Sequence, residues 1–357
     1  MSEWVETRLG IIAPFKYGKA LREESRRNGE YNVYSSAGIC GFSDKTLALK
    51  GIVVGRKGTV GSVFYTDLPF FCIDTAFYID EVSDDCNMKF IYYYMQLMNL
   101  GSFNNDAAVP GLNRNLAHKL KITIPDLPTQ TRIADILSAY DDAIENNNRR
   151  IALLEQAARE LYREWFVRFR FPGHESAKFL NGLPEGWEVK RLGELSDFRY
   201  GTMPVANRVS ESGYPIFSGY RITGYYDEYM FSDEQLILIA RGVGGTGEVR
   251  ISPKFCYLTN LSIAFLLKNE LLKFYLYERF QQCNLRELDT GAAQSQITIG
   301  VLEGYKVILP TESLLIRFDE LAKTMCEEKS ILQQQSQNLA RQRDLLLPRL
   351  MNRKLEV

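Results

Sequence analysis

The sequence holds no long apolar run: stretches such as Leu236 to Ala240 stop far short of the roughly 18 residues a membrane span requires. Its start, Met1-Ser-Glu-Trp-Val-Glu, has neither the basic opening nor the apolar core of a secretory signal. Cysteine is sparse and scattered. Cys40, Cys72, Cys86, Cys256, Cys283 and Cys326 include no CxxC pair, a spacing that fits reduced thiols better than disulfides or a zinc site. Two histidines, His118 and His174, are too few for a multi-histidine metal centre. Charge of either sign is not in excess, with 43 Lys and Arg against 44 Asp and Glu. Basic groups that meet nucleic acid must then be gathered on one face, or a partner must supply part of the field.

Signatures of catalysis are also missing. Gly51 to Gly61 is glycine-rich, yet no GxxxxGK[ST] phosphate loop follows. No GxGxxG joins a strand to a helix, and neither GxSxG nor HExxH occurs. The paired carboxylates Asp84-Asp85 and Asp141-Asp142 read as solvated surface or helix-face charges. These absences describe a soluble, cytoplasmic chain with no membrane contact, no metal, no cofactor and no active site of its own.

What is present is a duplication. The 357 residues, 45% hydrophobic and 24% charged, have ordinary globular composition and suffice for two or more domains. Placing Trp4 over Trp187 aligns Arg8 with Arg191, Leu9 with Leu192, Gly10 with Gly193, Phe15 with Phe198, Tyr17 with Tyr200 and Gly18 with Gly201, seven identities in fifteen positions. Further on the offset grows from 183 to 185, pairing Arg56 with Arg241, Lys121 with Lys306, Pro125 with Pro310 and Arg132 with Arg317. A repeat this long means two equivalent domains, each followed by the same tail, not a solenoid.

The reading is a mixed α/β, or α+β, fold in four segments: domains at 1–125 and 176–310, helical tails at 126–175 and 311–357. In the domains, runs such as Gly51-Ile-Val-Val-Gly and Leu236-Ile-Leu-Ile-Ala read as strands. Each also has one helix with an asparagine cap, Asn87 before Met88–Leu97 and Asn269 before Glu270–Gln281. From Gln130 to Phe169 there is neither Gly nor Pro, and residues at alternating steps of four and three are almost all apolar: Ile133, Leu137, Tyr140, Ile144, Asn147, Ile151, Leu154, Ala158, Leu161 and Trp165, with Asn147 the polar exception. The second tail repeats half of that seam at Phe318, Met325, Leu332, Leu339 and Leu346, while Lys329, Ser336 and Arg343 make the other half polar. Two such helices in one chain predict an antiparallel coiled coil with pseudo-two-fold symmetry, in which the seam residue Asn147 fixes register.

The stretch Leu127-Pro-Thr-Gln-Thr-Arg-Ile-Ala-Asp-Ile-Leu137, continuing through Asp141-Asp-Ala-Ile-Glu-Asn-Asn147 to Leu161-Tyr-Arg-Glu-Trp-Phe166, resembles the central region of type I restriction–modification specificity subunits. The restart Gly182-Leu-Pro-Glu-Gly-Trp187 is similar to that family as well, and the resemblance covers essentially the whole chain. The second tail departs from it, with Leu315 where the first has Gln130. The resemblance implies a non-catalytic subunit with two target-recognition domains, each reading one half of a split asymmetric site in double-stranded DNA. Two modification (methyltransferase) subunits would dock on it, bring S-adenosylmethionine and methylate an adenine in each half. Restriction subunits, with ATP and Mg, would complete the cleaving complex. A helix from Gln130 to Trp165 would be roughly 54 Å long, which suits half-sites about one turn of DNA apart.

Candidate DNA contacts lie in two matched sets. Lys16, Tyr17 and Lys19 correspond to Arg199, Tyr200 and Thr202, in segments where Gly18 and Gly201 would let a loop approach phosphate. The alternative is that these residues recur because each domain needs the same turn and core aromatic. Divergent residues in Gly-rich turns are better base readers: Arg56, Lys57 and Thr59 against Arg241 and Thr246. Asn113 and Arg114, with Gln294 and Gln296, precede the last strand of each domain and carry the amide and guanidinium groups that bond adenine and guanine edges. Arg221, beside Tyr220 and Tyr225, is a phosphate candidate or a solvated edge residue. Trp165 and Phe166 serve either a modification-subunit contact or packing on the recognition domain. Two other functions fit the same pattern: a stand-alone bipartite DNA-binding regulator, and an adaptor whose duplicated domains bind protein.

Overall fold

The glycine-bounded β-branched runs become central strands. Gly51–Gly55 and Leu236–Ile239 are buried along their whole length, which is why they show no polar alternation. The computed structural model describes residues 4–103, 111–242, 245–283, 285–289 and 295–355, and the chain divides into two units. The first comprises residues 1–148 with 334–357, the second 149–333. Each unit therefore takes one recognition domain together with part of both long helices.

The two units share a strand plan. The first has a four-stranded antiparallel sheet in the order Lys16–Tyr17, Ala76–Ile79, Gly51–Gly55, Val63–Thr66. The second repeats it with Ser196–Tyr200, Ser262–Leu267, Leu236–Ile239 and Val249–Ile251. A three-stranded sheet with one parallel pair follows in both: Tyr31–Ser35 beside Phe70–Cys72, and Tyr214–Phe217 beside Tyr257–Leu258. A short ribbon closes each domain, pairing Val5–Arg8 with Lys121–Ile124 and Glu188–Arg191 with Lys306–Leu309. Helix Met88–Leu97 starts where expected, its Asn87 cap accepting from the Phe90 amide at 3.1 Å. Its counterpart begins later, at Leu272. Asn269 instead holds the preceding turn, accepting from the Leu271 amide at 3.0 Å.

The tails form helices over Leu127–Tyr162 and Glu312–Met351. The first starts three residues before the expected Gln130, with Pro128 in its opening turn, where a missing amide costs nothing. It ends in a wide π-type turn over Arg163–Val167. In the first unit Ile133 and Leu137 share a core with Leu347, Leu350 and Met351. In the second, Tyr162 meets Phe318 at 6.1 Å between ring centroids, and Lys329 meets Glu155 at 2.8 Å. The helices run antiparallel in both. The polar half-seam is matched by acids: Arg343 pairs with Asp141, which also accepts from the Tyr93 hydroxyl, and Lys329 pairs with Glu155. Asp141 is thus a packing residue, not a solvated charge. Asn147 is buried at its seam position, as are Leu332 and Ala158, whereas Tyr140, Ile144, Ile151, Leu154, Leu161, Met325, Leu339 and Leu346 are half-buried.

Recognition domain and helix are locked differently in the two units. In the first, buried Gln130 donates to the Pro125 and Asp85 carbonyls at 2.8 and 3.1 Å and accepts from the Asn87 amide at 2.9 Å. Leu315 replaces it in the second, within an apolar core that includes Phe166, Tyr275 and Phe318. Trp165 and Phe166 are buried there too, 9% and 5% exposed, so they pack on the recognition domain and offer no docking surface. Glu278, 7% exposed, sits near Arg159, Lys329 and Glu155. Burial pushes its carboxyl up to about 7.

Two outcomes follow from this packing. Arg343→Ala strands Asp141 half-buried and should cost about 1 to 3 kcal/mol in a urea titration; an unchanged midpoint would show the pair to be idle. Because Glu278 holds its proton more tightly folded than unfolded, its contribution is fully present below the ordinary carboxylate range and disappears as pH rises through about 7. Glu278→Gln should flatten that fall and stabilise the chain at pH 8 by up to about 3 kcal/mol, and parallel pH profiles for the two proteins would refute the assignment.

Candidate nucleic-acid interface

In each unit the four-stranded sheet ends on the strand that carries the duplicated tyrosine. Tyr17 pairs with Phe77 across the ladder and Tyr200 with Ile263. Tyr17 is 47% exposed and packs edge-on against Phe77 at 5.0 Å. Two guanidiniums lie over its ring, with the Cζ of Arg56 at 5.0 Å and that of Arg114 at 4.8 Å. Over Tyr200 lies Arg241, at 5.9 Å. A half-exposed cation–π contact stabilises by only about 0.5 to 1 kcal/mol, so its main effect is to orient the guanidinium.

The turns that deliver these arginines are held alike. The amides of Arg56 and Lys57 donate to the Thr75 carbonyl at 2.9 and 3.0 Å, and those of Ala240 and Arg241 to Leu261 at 2.8 and 3.1 Å. Lys57 then bridges to Gly111, as Arg241 does to Gln296. The backbone counterpart of Arg241 is therefore Lys57, not Arg56 as the constant offset of 185 predicts. The tyrosine keeps a guanidinium although the position that supplies it has moved by one residue.

Several other candidates are committed elsewhere. Gly18 and Gly201 are not hinges of flexible loops. A Cβ on Gly18 would stand 2.1 Å from the Ile73 carbonyl oxygen, and one on Gly201 2.2 Å from that of Thr259, so both follow strand ends packed on backbone. Lys16 is ion-paired to Asp80 at 2.7 Å and to Glu81 at 3.7 Å, and the Asp80 hydrogen bond raises its pKa. Arg199 is an exception, exposed over Phe231 at 5.9 Å and with no carboxylate partner among the described residues, whereas the Thr202 hydroxyl shares a 2.6 Å hydrogen bond with Tyr257. Thr246 is buried, donating to the Gly242 carbonyl at 2.9 Å, and so shapes the turn instead of reading bases. The Asn113 side-chain oxygen caps the helix Arg114–Lys119, accepting from the Asn115 and Leu116 amides. Arg221 lines a cleft of about 600 Å³ with Glu234, Arg250 and Glu278. Gln294 lies outside the described residues.

Lys19, Lys57 and Thr59 are exposed, and Gln296 is half-buried with its backbone N–H donating to the Asp289 carboxylate at 2.7 Å. Two contributors escaped the sequence reading. Tyr220, 43% exposed, lies so close to Gly242 and Gly245 that a Cβ on the first would come within 2.6 Å of its hydroxyl and one on the second within 2.3 Å of its ring. His118 accepts from the Phe15 amide at 2.9 Å, and burial together with Arg114 holds its pKa below the ordinary value, so the neutral ring braces the Arg114 helix. Among the described residues, Arg56, Arg114 and Arg241 meet no carboxylate, whereas Arg208 is paired with Asp227 and Glu228, and Arg250 with Glu248. The Arg56 guanidinium donates to the Asp74 carbonyl at 3.2 Å, and the buried Nε atoms of Arg114 and Arg241 have no hydrogen-bond partner among the described residues. Cations left unneutralised beside an exposed aromatic are the arrangement that binds polyanions.

A family model described as the type I restriction modification DNA specificity domain matches residues 1–156 and again 184–313. The chain is 23% identical to the type I restriction enzyme MjaIX specificity subunit of Methanocaldococcus jannaschii, over 92% of this chain and 85% of that protein. It is 27% identical to the type I restriction enzyme HindI specificity subunit of Haemophilus influenzae, over 47% of this chain and 42% of that one. The crystal structure of the type I restriction–modification S subunit from M. genitalium matches with a TM-score of 0.69 at 20% identity, covering 98% of this chain and 96% of that chain, a likeness of fold.

The packing of the glycines has a measurable consequence. Gly201→Ala forces a methyl into backbone and should cost about 1 to 3 kcal/mol, while Gly300→Ala, with nothing within 4 Å, should cost nothing. Equal thermal stability for the two variants would contradict the close approach.

Proposed function

The chain belongs to the type I restriction–modification DNA specificity family, and on that premise we propose how its residues divide the work. It is the specificity subunit of such a system: non-catalytic, with two specificity domains that suit a bipartite DNA site. The first domain meets its half-site through the surface around Tyr17, Arg56 and Arg114, and the second through Tyr200, Arg241, Gln296 and Tyr220. Lys19, Lys57 and Thr59 extend the first surface. The two long helices set the gap between the half-sites and receive two modification subunits. S-adenosylmethionine belongs to those subunits, and ATP with Mg to the restriction subunits, in the cytoplasm where the host DNA lies.

The observation that carries this reading is the guanidinium held over the duplicated tyrosine in both units. A stand-alone regulator or a protein-binding adaptor needs no such recurrence alongside a specificity-domain match that covers both halves. In complex with modification subunits, base-by-base substitution of a bound duplex should find two groups of sensitive base pairs around an insensitive gap. Arg114→Ala should alter the requirement in one group only, by about 1 to 3 kcal/mol for a base-edge contact. One contiguous block of sensitive bases, or a change in both groups, would overturn the proposal.

A further inference from the structure

The two domains differ in the turns that flank the duplicated tyrosine, yet one contact is the same. Tyr17 carries Arg56 and Tyr200 carries Arg241, each on the equivalent edge strand of its own unit's four-stranded sheet. The backbone register has slipped by one residue between the two turns, so the contact has not been kept merely because the turn was copied. The contact is not sealed in a core: the Tyr17 ring is 47% exposed, Tyr200 is half-buried, and so are both guanidiniums. Neither is neutralised by a carboxylate among the described residues. What sits around the pair differs. Arg114 adds a second guanidinium over Tyr17, whereas the residue 185 positions on is Ile299, whose amide donates to the Tyr200 hydroxyl at 3.3 Å.

A residue that does the same thing in two domains cannot tell two unlike half-sites apart. Base edges change with sequence, while the phosphodiester backbone is the one anionic feature present at both. A guanidinium oriented by a ring presents a planar fork of N–H donors, which suits two oxygens of one phosphate. We propose that Arg56 and Arg241, each oriented by its tyrosine, are the common phosphate anchors of the two recognition domains, and that sequence reading is left to residues the domains do not share, such as Arg114. The anchors set where each domain rests on the duplex, and the unshared side chains then face bases in a defined register. This inference rests on the DNA-recognition reading above.

The test uses the full chain assembled with its modification subunits, titrated with the duplex that carries the host's methylated motif and with a shuffled duplex of equal length. Arg56→Ala and Arg241→Ala should each weaken binding roughly tenfold, by the same factor on both duplexes. Each should also lower the slope of log affinity against log salt by about 0.9, as expected for one lost phosphate contact, with the preferred bases unchanged. Arg241→Lys, which keeps the charge, should retain the wild-type salt slope and guards against a folding defect in the alanine variant. A loss confined to the motif duplex, or a changed base preference, would make these arginines readers and overturn the inference. So would unchanged affinity and slope. If the wild-type complex fails to distinguish motif from shuffled duplex, it is the DNA-recognition reading itself that fails.

Discussion

Neither recognition domain closes its largest core alone, although smaller clusters, around Phe70 in the first and Phe217 in the second, are its own. The inner face of each four-stranded sheet is covered by one short helix, and that helix in turn needs both long helices beneath it. Phe90, Ile91, Tyr93 and Met95 pack with Ile133 and Leu137 from the first long helix and with Leu347, Leu350 and Met351 from the second. Tyr275, Leu276 and Phe280 pack likewise with Tyr162, Trp165, Phe166, Leu314 and Phe318. Burial of this apolar surface is the dominant stabilising term, so reader and rod fold as one cooperative body in each unit. A domain that borrows its floor from a helix cannot swing freely on it. That rigidity is what a protein needs if the position of its reading surface is to carry information.

The polar half-seam fits the same logic. Lys329 and Arg343 on the second helix meet Glu155 and Asp141 on the first. Half-buried ion pairs add little net stability over apolar packing, but a slipped register would leave each charge unpaired at a cost of about 1 to 3 kcal/mol. The second helix is therefore no weaker partner for being polar; its charges select one alignment. Glu278 shows the opposite balance, a carboxyl whose burial is not repaid by the nearby cations and whose proton affinity is raised as a result.

At the interface the surplus of cation over anion is local. The whole chain is almost neutral, yet Arg56 and Arg114 gather over one tyrosine and Arg241 over another while Lys16, Arg208 and Arg250 are spent in ion pairs. Sheet geometry does the gathering, since Tyr17 and Tyr200 end an edge strand and Arg56 and Arg241 follow strands of the same two sheets, while Arg114 opens a helix capped by Asn113. No motif announces the pairing, because it joins residues far apart in the chain.

Periodicity and self-similarity were sufficient to show a duplicated mixed fold with long helical tails, because strand and helix patterns and the repeat are properties of local sequence. The Asn87 cap, the buried Asn147 and the antiparallel sense were legible for that reason. Which charges were free was not. Lys16, Thr202 and Thr246 look like surface contacts in one dimension, and only the fold brings Asp80, Tyr257 and the Gly242 carbonyl to them. The alignment of the two turns was likewise beyond a linear offset, since a single-residue slip is invisible to sequence comparison but fixed by ladder hydrogen bonds. Local chemistry determined the elements and their order; long-range hydrogen bonds and charge pairing, which depend on residues distant in sequence, decided which side chains remain available to bind.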